Sequence, residues 1–306
     1  MDESYFDLEG HQSWDDSQFI SLRISGREMN KEIGYDLEYV LNSLSSFENM
    51  VNKTYLYLHG RNRFSESDKN KLSIKLMDVE EGSFLSVIKI VYDNVLVPAT
   101  PLVVENKEMI VGIIKSSYKF LKEKIKAEKE GKDVQVTQTS GENGLNINVV
   151  NNGSGSVIIE APRGVPEISQ KLVSDFQKIT KPVDGKEIDS IEIKELSETD
   201  GKVTFDATDK TLFEASTFTQ DKEIIIIGKV LDSSYTKKNG KIQVIESDFV
   251  KKDVYKFVMD KDIQSEEVWR EMYLHEQSYV CKCKMEYNPA KNAKPLIKEI
   301  VIIDAA

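Results

Sequence analysis

The sequence predicts an α+β protein that ends in a small β-barrel, and three observations lead to this prediction. Apolar residues lie at alternate positions in the two halves of residues 72–92 (Leu72, Ile74 and Leu76, then Ile88, Ile90 and Tyr92), which is typical of paired strands. Apolar residues recur at helical spacing after residue 37 and again after residue 109. Residues 217–306 contain five strand candidates with one helix candidate between the third and the fourth, which is the order of an OB-fold barrel. An SH3-like barrel with an inserted helix is the alternative.

The first predicted module spans residues 1–131. Residues 19–25 alternate like a strand, and residues 37–51 predict one long amphipathic helix or two short ones. A β-hairpin follows, and its turn lies at residues 80–83, where Gly82 permits the positive φ that such turns often require. The second strand of this hairpin is apolar on both faces, so we expect it to lie centrally in a sheet.

A helix after residue 109 ends in a run of mixed charges over residues 122–132, which we interpret as a solvated helix end that leads into a linker. The second predicted module, residues 132–216, begins with short strands separated by Gly and Asn. Pro166 then suits a first helical turn, and apolar residues over 168–179 form a helical stripe. Short strands follow, so this module is predicted to be a small α+β domain.

The third predicted module spans residues 217–306 and contains the barrel. Its helix candidate runs from Ser265 to Leu274, with Glu266 and Glu267 near the positive N-terminal end. Its strand candidates are residues 223–231, 241–245, 254–259, 278–287 and 296–303.

The composition narrows the class of protein. The chain has 306 residues, and its 41 basic and 52 acidic side chains give a net charge of -11. This balance disfavours non-specific binding to DNA, RNA or anionic lipid. No apolar run approaches the roughly 18 residues of a membrane span, and the acidic, polar N-terminus is not a secretory signal. We therefore expect a cytoplasmic protein that does not contact a membrane.

The sequence offers neither a nucleophile–histidine arrangement nor a phosphate-binding loop on which to base a catalytic assignment. The three histidines, His11, His59 and His275, are far apart in the chain, so nucleophile–histidine arrangements cannot be assembled from them. No glycine-rich phosphate-binding loop follows a strand. Cys281 and Cys283 have no third cysteine with which to hold a metal, so we interpret them as small buried hydrophobic side chains. We expect no cofactor and no structural metal.

One strand candidate has the spacing of a metal-dependent nuclease. Glu192 and Lys194 form an E-x-K pattern, and Asp184 or Asp189 would supply a second carboxylate for Mg²⁺. Glu and Lys two residues apart are also common on any solvated strand face. A magnesium nuclease is therefore the third functional hypothesis.

The third module contains the candidate binding residues. Residues 217–306 hold 15 basic and 15 acidic side chains, so the preceding residues hold the whole negative balance. In an OB fold the loops that join strands one to two and four to five flank the ligand groove, and these are residues 232–240 and 288–295. Lysines beside an aromatic ring are able to follow a phosphate backbone and to stack a base. The candidates are Tyr235, Lys237, Lys238, Lys291 and Lys294.

The order of modules provides a family resemblance. A strand, helices and a hairpin with Gly82-Ser83-Phe84, followed by a middle α+β part and a C-terminal barrel, resemble bacterial and phage multi-module proteins of phage-defence and mobile loci. The resemblance covers most of the chain. It implies a prokaryotic or phage host and a connection with antiviral defence, and it implies no catalytic residues.

These observations lead to an expected function. We expect a non-catalytic scaffold, sensor or adaptor that assembles into a homo-oligomer and binds another protein. The alternative is a protein that binds an oligonucleotide or nucleotide through the C-terminal barrel.

Overall fold

The computed structural model describes residues 17–80, 84–92, 109–139, 146–151, 155–196, 201–263, 265–273, 275–292 and 294–305. Helices and strands are mixed along this part of the chain, which confirms the α+β class. The chain falls into two compact units. The sheet unit contains residues up to 122 together with 136–149 and 159–213, and the barrel unit contains residues 123–135, 150–158 and 214–306.

The elements before the barrel follow the chain in this order: β1 (Ser17–Ser25), β2 (Met29–Asn30), β3 (Gly34–Tyr35), α1 (Leu37–Leu58), α2 (Glu66–Lys69), β4 (Leu72–Glu80), β5 (Phe84–Tyr92), α3 (Met109–Lys129), β6 (Asp133–Thr139), β7 (Asn148–Asn151), β8 (Ser156–Pro162), α4 (Val165–Thr180), β9 (Ser190–Glu195), β10 (Lys202–Phe205) and α5 (Ala207–Phe213). The later elements are β11 (Ser216–Thr219), β12 (Ile224–Ser234), β13 (Asn239–Glu246), β14 (Val254–Met259), a 3₁₀ turn (Lys261–Ile263), α6 (Glu266–Met272), β15 (Glu276–Tyr287) and β16 (Leu296–Ala305).

The sheet unit is built on a five-stranded antiparallel sheet with the order β10-β9-β1-β5-β4. Strand β1 lies in the middle, and its alternate residues Ile20, Leu22 and Ile24 are fully buried on one face. The sheet therefore combines strands of the predicted first module with β9 and β10 of the predicted middle module. The boundaries at 1–131, 132–216 and 217–306 stay a prediction.

Helices cover the buried face of this sheet. The ring of Tyr118 on α3 lies 5.0 Å from that of Phe205 on β10, and α1 packs against α4 and β4. Helix α1 is a single helix, which resolves the choice between one long helix and two short ones. Leu37 and Leu41 are exposed although they fit the predicted apolar stripe, whereas Val40 between them is buried.

The hairpin prediction is confirmed in its strands. β4 and β5 pair antiparallel with a bulge between Leu76 and Asp78. β5 lies between β1 and β4, so it has the expected central position. Gly82 and Ser83, which belong to the predicted turn and to the Gly-Ser-Phe pattern, lie outside the described residues.

The barrel unit contains a closed barrel of five strands, β12 to β16. β12 pairs with β13 and β15, β13 pairs with β14, and β16 closes the barrel by pairing parallel to β14 and antiparallel to β15. Helix α6 lies between the third and fourth barrel strands, as predicted, and begins after the capping residue Ser265. This connectivity fits the OB-like alternative. β11 adds a sixth strand beside β15.

The remaining strands form small sheets, since β6, β8 and β7 form one of three strands and β2 and β3 form one of two. Among the described helices, none is both long enough and apolar enough to cross a membrane.

Candidate nucleic-acid interface on the barrel

The loop between β12 and β13 brings three predicted binding residues to one end of the barrel. Tyr235 is 47% exposed, and the ammonium group of Lys238 lies 3.3 Å from the centroid of its ring. Lys238 has a φ of 54°, a left-handed conformation that turns the chain back into β13. The backbone N–H of Lys237 donates to the hydroxyl of Ser234 at 3.3 Å. The loop therefore presents a lysine and an aromatic ring together.

Helix α6 fixes the position of Tyr235. The Trp269 ring, which is buried, meets the Tyr235 ring edge to face with 6.2 Å between the centroids. On its other side Trp269 packs against the core residue Phe257 on β14, with 5.9 Å between the centroids. The Lys238 ammonium group also lies 5.9 Å from the centroid of Trp269. These contacts connect the loop to the barrel core.

The loop between β15 and β16 contains the other two predicted residues. The N–H of Lys291 donates to the carbonyl of Asn288 at 2.9 Å, which closes a turn. Lys294 lines a cleft of about 900 Å³ within the barrel unit, together with Glu128 and Phe249. Its positive charge acts on the carboxylate of Glu128.

The two loops lie at opposite ends of the barrel strands. β15 runs antiparallel to β12, so the loop that follows β15 leaves from the opposite end to the loop that follows β12. Around the barrel, β13 and β14 come between these loops. Tyr235 and Lys238 thus lie together at one end of the barrel. Lys291 and Lys294 lie at the opposite end, and the outer face of β13 and β14 lies between the two loops.

That outer face contains lysines that the sequence analysis did not select. Lys241 on β13 lies directly opposite Lys256 on β14, and both side chains are exposed. Gln243 on β13 lies opposite Lys229 on β12. The residues between them, such as Ile242, point into the core. The alternation of Lys241, Ile242 and Gln243 in the sequence indicates that the two polar side chains lie on the outer face of the barrel.

The lysine pair is electrostatically unfavourable by itself. Like charges directly opposite each other destabilise a strand pair. Asp232 faces Lys241 from β12, and Glu299 on the neighbouring β16 is paired with Lys284 at 3.3 Å. Within the part of the chain that the structure describes, neither Lys241 nor Lys256 has a carboxylate within ion-pair distance. An anion on this face would relieve the repulsion.

The predicted nuclease residues are used in other contacts. The carboxylate of Glu192 accepts from the Lys202 ammonium group at 2.9 Å. The carboxylate of Asp184 accepts from the backbone N–H groups of Lys186 and Glu187, both at 2.8 Å, and these hydrogen bonds lower its pKa. Across the described ranges, no three His, Cys, Asp or Glu side chains converge as a metal site would require.

Both cysteines lie inside the barrel. Cys281 and Cys283 are alternate residues of β15, and both are buried among the core side chains. Burial raises the pKa of Cys283 to about 11 and raises the pKa of Cys281 as well. Their thiols are therefore protonated at neutral pH and pack as small apolar groups.

A buried acid lies beside the cleft and was not found from the sequence. Glu128 on α3 is 6% exposed, and it accepts a hydrogen bond from the phenol of Tyr287 at the end of β15. The ammonium group of Lys124 lies 3.8 Å from this carboxylate. Burial raises the pKa of Glu128 against the opposing effects of these neighbours. The mixed-charge run gave no indication that one of its acids is buried.

Comparisons with protein-family models, with curated proteins and with solved structures find no match for this chain.

Proposed function

We propose that the barrel unit binds single-stranded nucleic acid across the outer face of β13 and β14. The observation on which this proposal depends is the exposed pair Lys241 and Lys256, which lies on the second and third barrel strands. In OB-fold barrels these two strands, with the loops at their ends, form the face that binds oligonucleotides. The fold supplies the face, and the lysine pair supplies the positive charge.

Each part of this face has a role in the proposed complex. Lys241 and Lys256 contact neighbouring phosphates, because two ammonium groups across a strand pair suit the repeated charge of a backbone. Tyr235 stacks a base at one end with the ring surface that remains exposed. Lys291 and Lys294 extend the positive charge at the other end.

The charge distribution supports binding at this unit. The chain as a whole has a net charge of -11, whereas residues 217–306 are balanced. The summed charge of the preceding residues therefore repels a phosphate backbone at long range. We expect affinity that depends on contacts to this face and that falls steeply with salt.

A binding titration with the full chain tests the proposal. The probe is a fluorescein-labelled oligo(dT) of about 12 nucleotides, within the site size of one OB fold, and the measurement is fluorescence anisotropy at low and moderate salt. We expect Lys241→Gln/Lys256→Gln to weaken binding at least about tenfold, because two phosphate contacts are lost. The matched control is Lys251→Gln/Lys252→Gln, which makes the same charge change in the loop after β13. No binding by the unchanged protein at low salt, or equal losses in both variants, would refute the proposal.

We propose self-association as a second function, because exposed apolar side chains lie on a strand at one edge of the described sheet. β4 is an edge strand of nine residues, and Leu76 and Met77 are more than half exposed. Unpaired apolar edges favour strand-to-strand association. Analytical ultracentrifugation of the unchanged protein and of Leu76→Lys is the test. A species heavier than 34.8 kDa that reverts to the monomer in the variant supports a scaffold role, and a monomer throughout refutes it.

A further inference from the structure

The sheet unit has an open face with its own positive cluster. Phe19 on β1 lies opposite Lys89 on β5, and Lys89 lies opposite Lys75 on β4. The three side chains form one row across adjacent strands, on the face away from the helices. The Lys89 ammonium group lies 5.2 Å from the centroid of the Phe19 ring. Two like charges and an aromatic ring are thus fixed side by side by strand register.

A cleft of about 390 Å³ lies over Lys75 and Lys89 of this row, and the Phe19 ring adjoins it through its contact with Lys89. Its polar lining consists of three lysines, Lys71, Lys75 and Lys89, with the amide of Asn70 and the hydroxyl of Ser73. None of the described residues that line it is acidic. Among the described residues, no carboxylate lies within ion-pair distance of these three ammonium groups. In a chain with a net charge of -11 this is a local concentration of positive charge.

Two acids close to these lysines in the sequence, Asp68 and Asp78, interact with other groups. Asp68 is fully buried and pairs with the guanidinium of Arg61. It also accepts from the hydroxyl of Ser65 at 2.5 Å. Asp78 lies past the bulge of β4, and its carboxylate accepts from the N–H of Val79 at 2.7 Å. Neither acid neutralises the cleft by a direct ion pair.

We propose that this cleft binds a multiply charged phosphate group. Lysine ammonium groups are common phosphate ligands, and the hydroxyl of Ser73 and the amide of Asn70 are able to donate further hydrogen bonds. The volume suits a small ligand. Bound phosphate oxygens would offset the repulsion between Lys75 and Lys89 that strand register imposes. This site is independent of the proposed interface on the barrel.

The phosphate group has two chemical sources, which share this recognition. A free polyphosphate would use the lysines alone, whereas a nucleoside phosphate would also place its base near the Phe19 ring. In either case we expect affinity to rise from inorganic phosphate to tripolyphosphate, because each added charge meets the same three ammonium groups. Adenosine, which has no phosphate, should not bind.

Isothermal titration calorimetry of the full chain at low ionic strength tests this proposal. The probes are inorganic phosphate, tripolyphosphate, ATP and adenosine. We expect Lys75→Gln/Lys89→Gln to weaken tripolyphosphate and ATP binding at least tenfold. The matched control, Lys119→Gln/Lys178→Gln, changes two exposed helix lysines and should bind as the unchanged protein does. A margin of ATP over tripolyphosphate that Phe19→Leu removes would identify a nucleoside phosphate, and equal affinities would identify a polyphosphate.

Three outcomes would overturn the proposal. The first is that the unchanged protein binds none of the phosphates. The second is that Lys75→Gln/Lys89→Gln and the control double variant lose affinity equally. The third is that only an oligonucleotide binds through Lys75 and Lys89. Circular dichroism of each variant shows whether the sheet unit remains folded. Lys241→Gln/Lys256→Gln should retain full phosphate binding, so failure of the barrel proposal and failure of this one are separate results.

Discussion

The phenol of Tyr287 donates a hydrogen bond to the carboxylate of Glu128, and both side chains are buried. The contact connects α3 with the last residue of β15 inside the barrel unit. Burial raises the pKa of Glu128 because its charged form loses solvation, and it raises the pKa of Tyr287 for the same reason. Folding is therefore favoured when the acid is protonated, although the hydrogen bond from Tyr287 by itself favours the charged carboxylate.

Glu128 should make stability depend on pH in a defined direction. The pKa of Glu128 is higher in the folded state than its ordinary value of 4.5. Its contribution to the free energy of unfolding is therefore fully present below pH 4.5 and is lost as pH rises through the folded-state pKa. Glu128→Gln retains an acceptor for Tyr287 and removes the charge. The measurement is the free energy of unfolding in urea from about pH 4 to about pH 8. As pH rises, this free energy should fall less in Glu128→Gln than in the unchanged protein.

Glu123→Gln is the control for this experiment, since it changes a partly exposed acid on the same helix. Its stability should follow the pH profile of the unchanged protein. A Glu128→Gln profile that also follows the unchanged protein would contradict the assignment of a raised pKa.

Gly240 should tolerate no side chain. A Cβ at this position would lie 2.0 Å from the carbonyl oxygen of Asp232 and 2.7 Å from a ring carbon of Phe257. Gly240→Ala therefore forces β12 away from β13, and we expect it to lower the free energy of unfolding by about 1–3 kcal/mol or more. Gly228→Ala meets its nearest atoms at 3.0 Å and should cost less. Chemical denaturation gives both values, and an equal or reversed order would show that the β12–β13 pairing differs.

Asp36 should stabilise the start of α1. Its carboxylate accepts from the backbone N–H of Glu38 at 2.8 Å and of Tyr39 at 3.3 Å. Loss of this cap in Asp36→Ala should lower the free energy of unfolding by about 1 kcal/mol, whereas Asp36→Asn keeps an acceptor and should cost less. Thermal and urea denaturation measure the difference, and an unchanged Asp36→Ala midpoint would contradict it.

Tyr235 should contribute to oligonucleotide binding through its ring. Tyr235→Leu removes the stacking surface and should reduce the binding free energy by about 1–3 kcal/mol, while Tyr235→Phe retains it. Anisotropy titrations with the same oligo(dT) measure this. If Tyr235→Phe loses as much affinity as Tyr235→Leu, the hydroxyl rather than the ring is responsible, and stacking is wrong.

The barrel was predictable because its information is local. Each barrel strand has its own alternation, and the helix between the third and fourth strands has its own spacing and capping residue. The pairing of β1 with β9 was not predictable, because strand register between distant segments leaves no local periodicity. Leu37 and Leu41 show a limit of local pattern, since helical spacing does not distinguish these exposed leucines from the buried Val40 between them.

The candidate site was predictable only in part. The loop residues Tyr235 and Lys238 could be selected because turns are visible in the sequence. Lys241 and Lys256 fall in predicted strands, but only the register of β13 and β14 reveals that they lie opposite each other. The same holds for Lys75 and Lys89 on β4 and β5. The net charge of a whole module does not reveal such local clusters of lysines.

The central place of β1 has a consequence during protein synthesis. The hydroxyl of Ser21 donates to the carbonyl of Lys194, which is 173 positions later in the chain. At 5–20 residues per second the ribosome needs about 9–35 s to reach it. Throughout that interval one edge of β1 has no native partner, so the nascent chain offers an unpaired strand to chaperones and to other nascent chains. Faster elongation or chaperone supply should therefore raise the yield of folded protein.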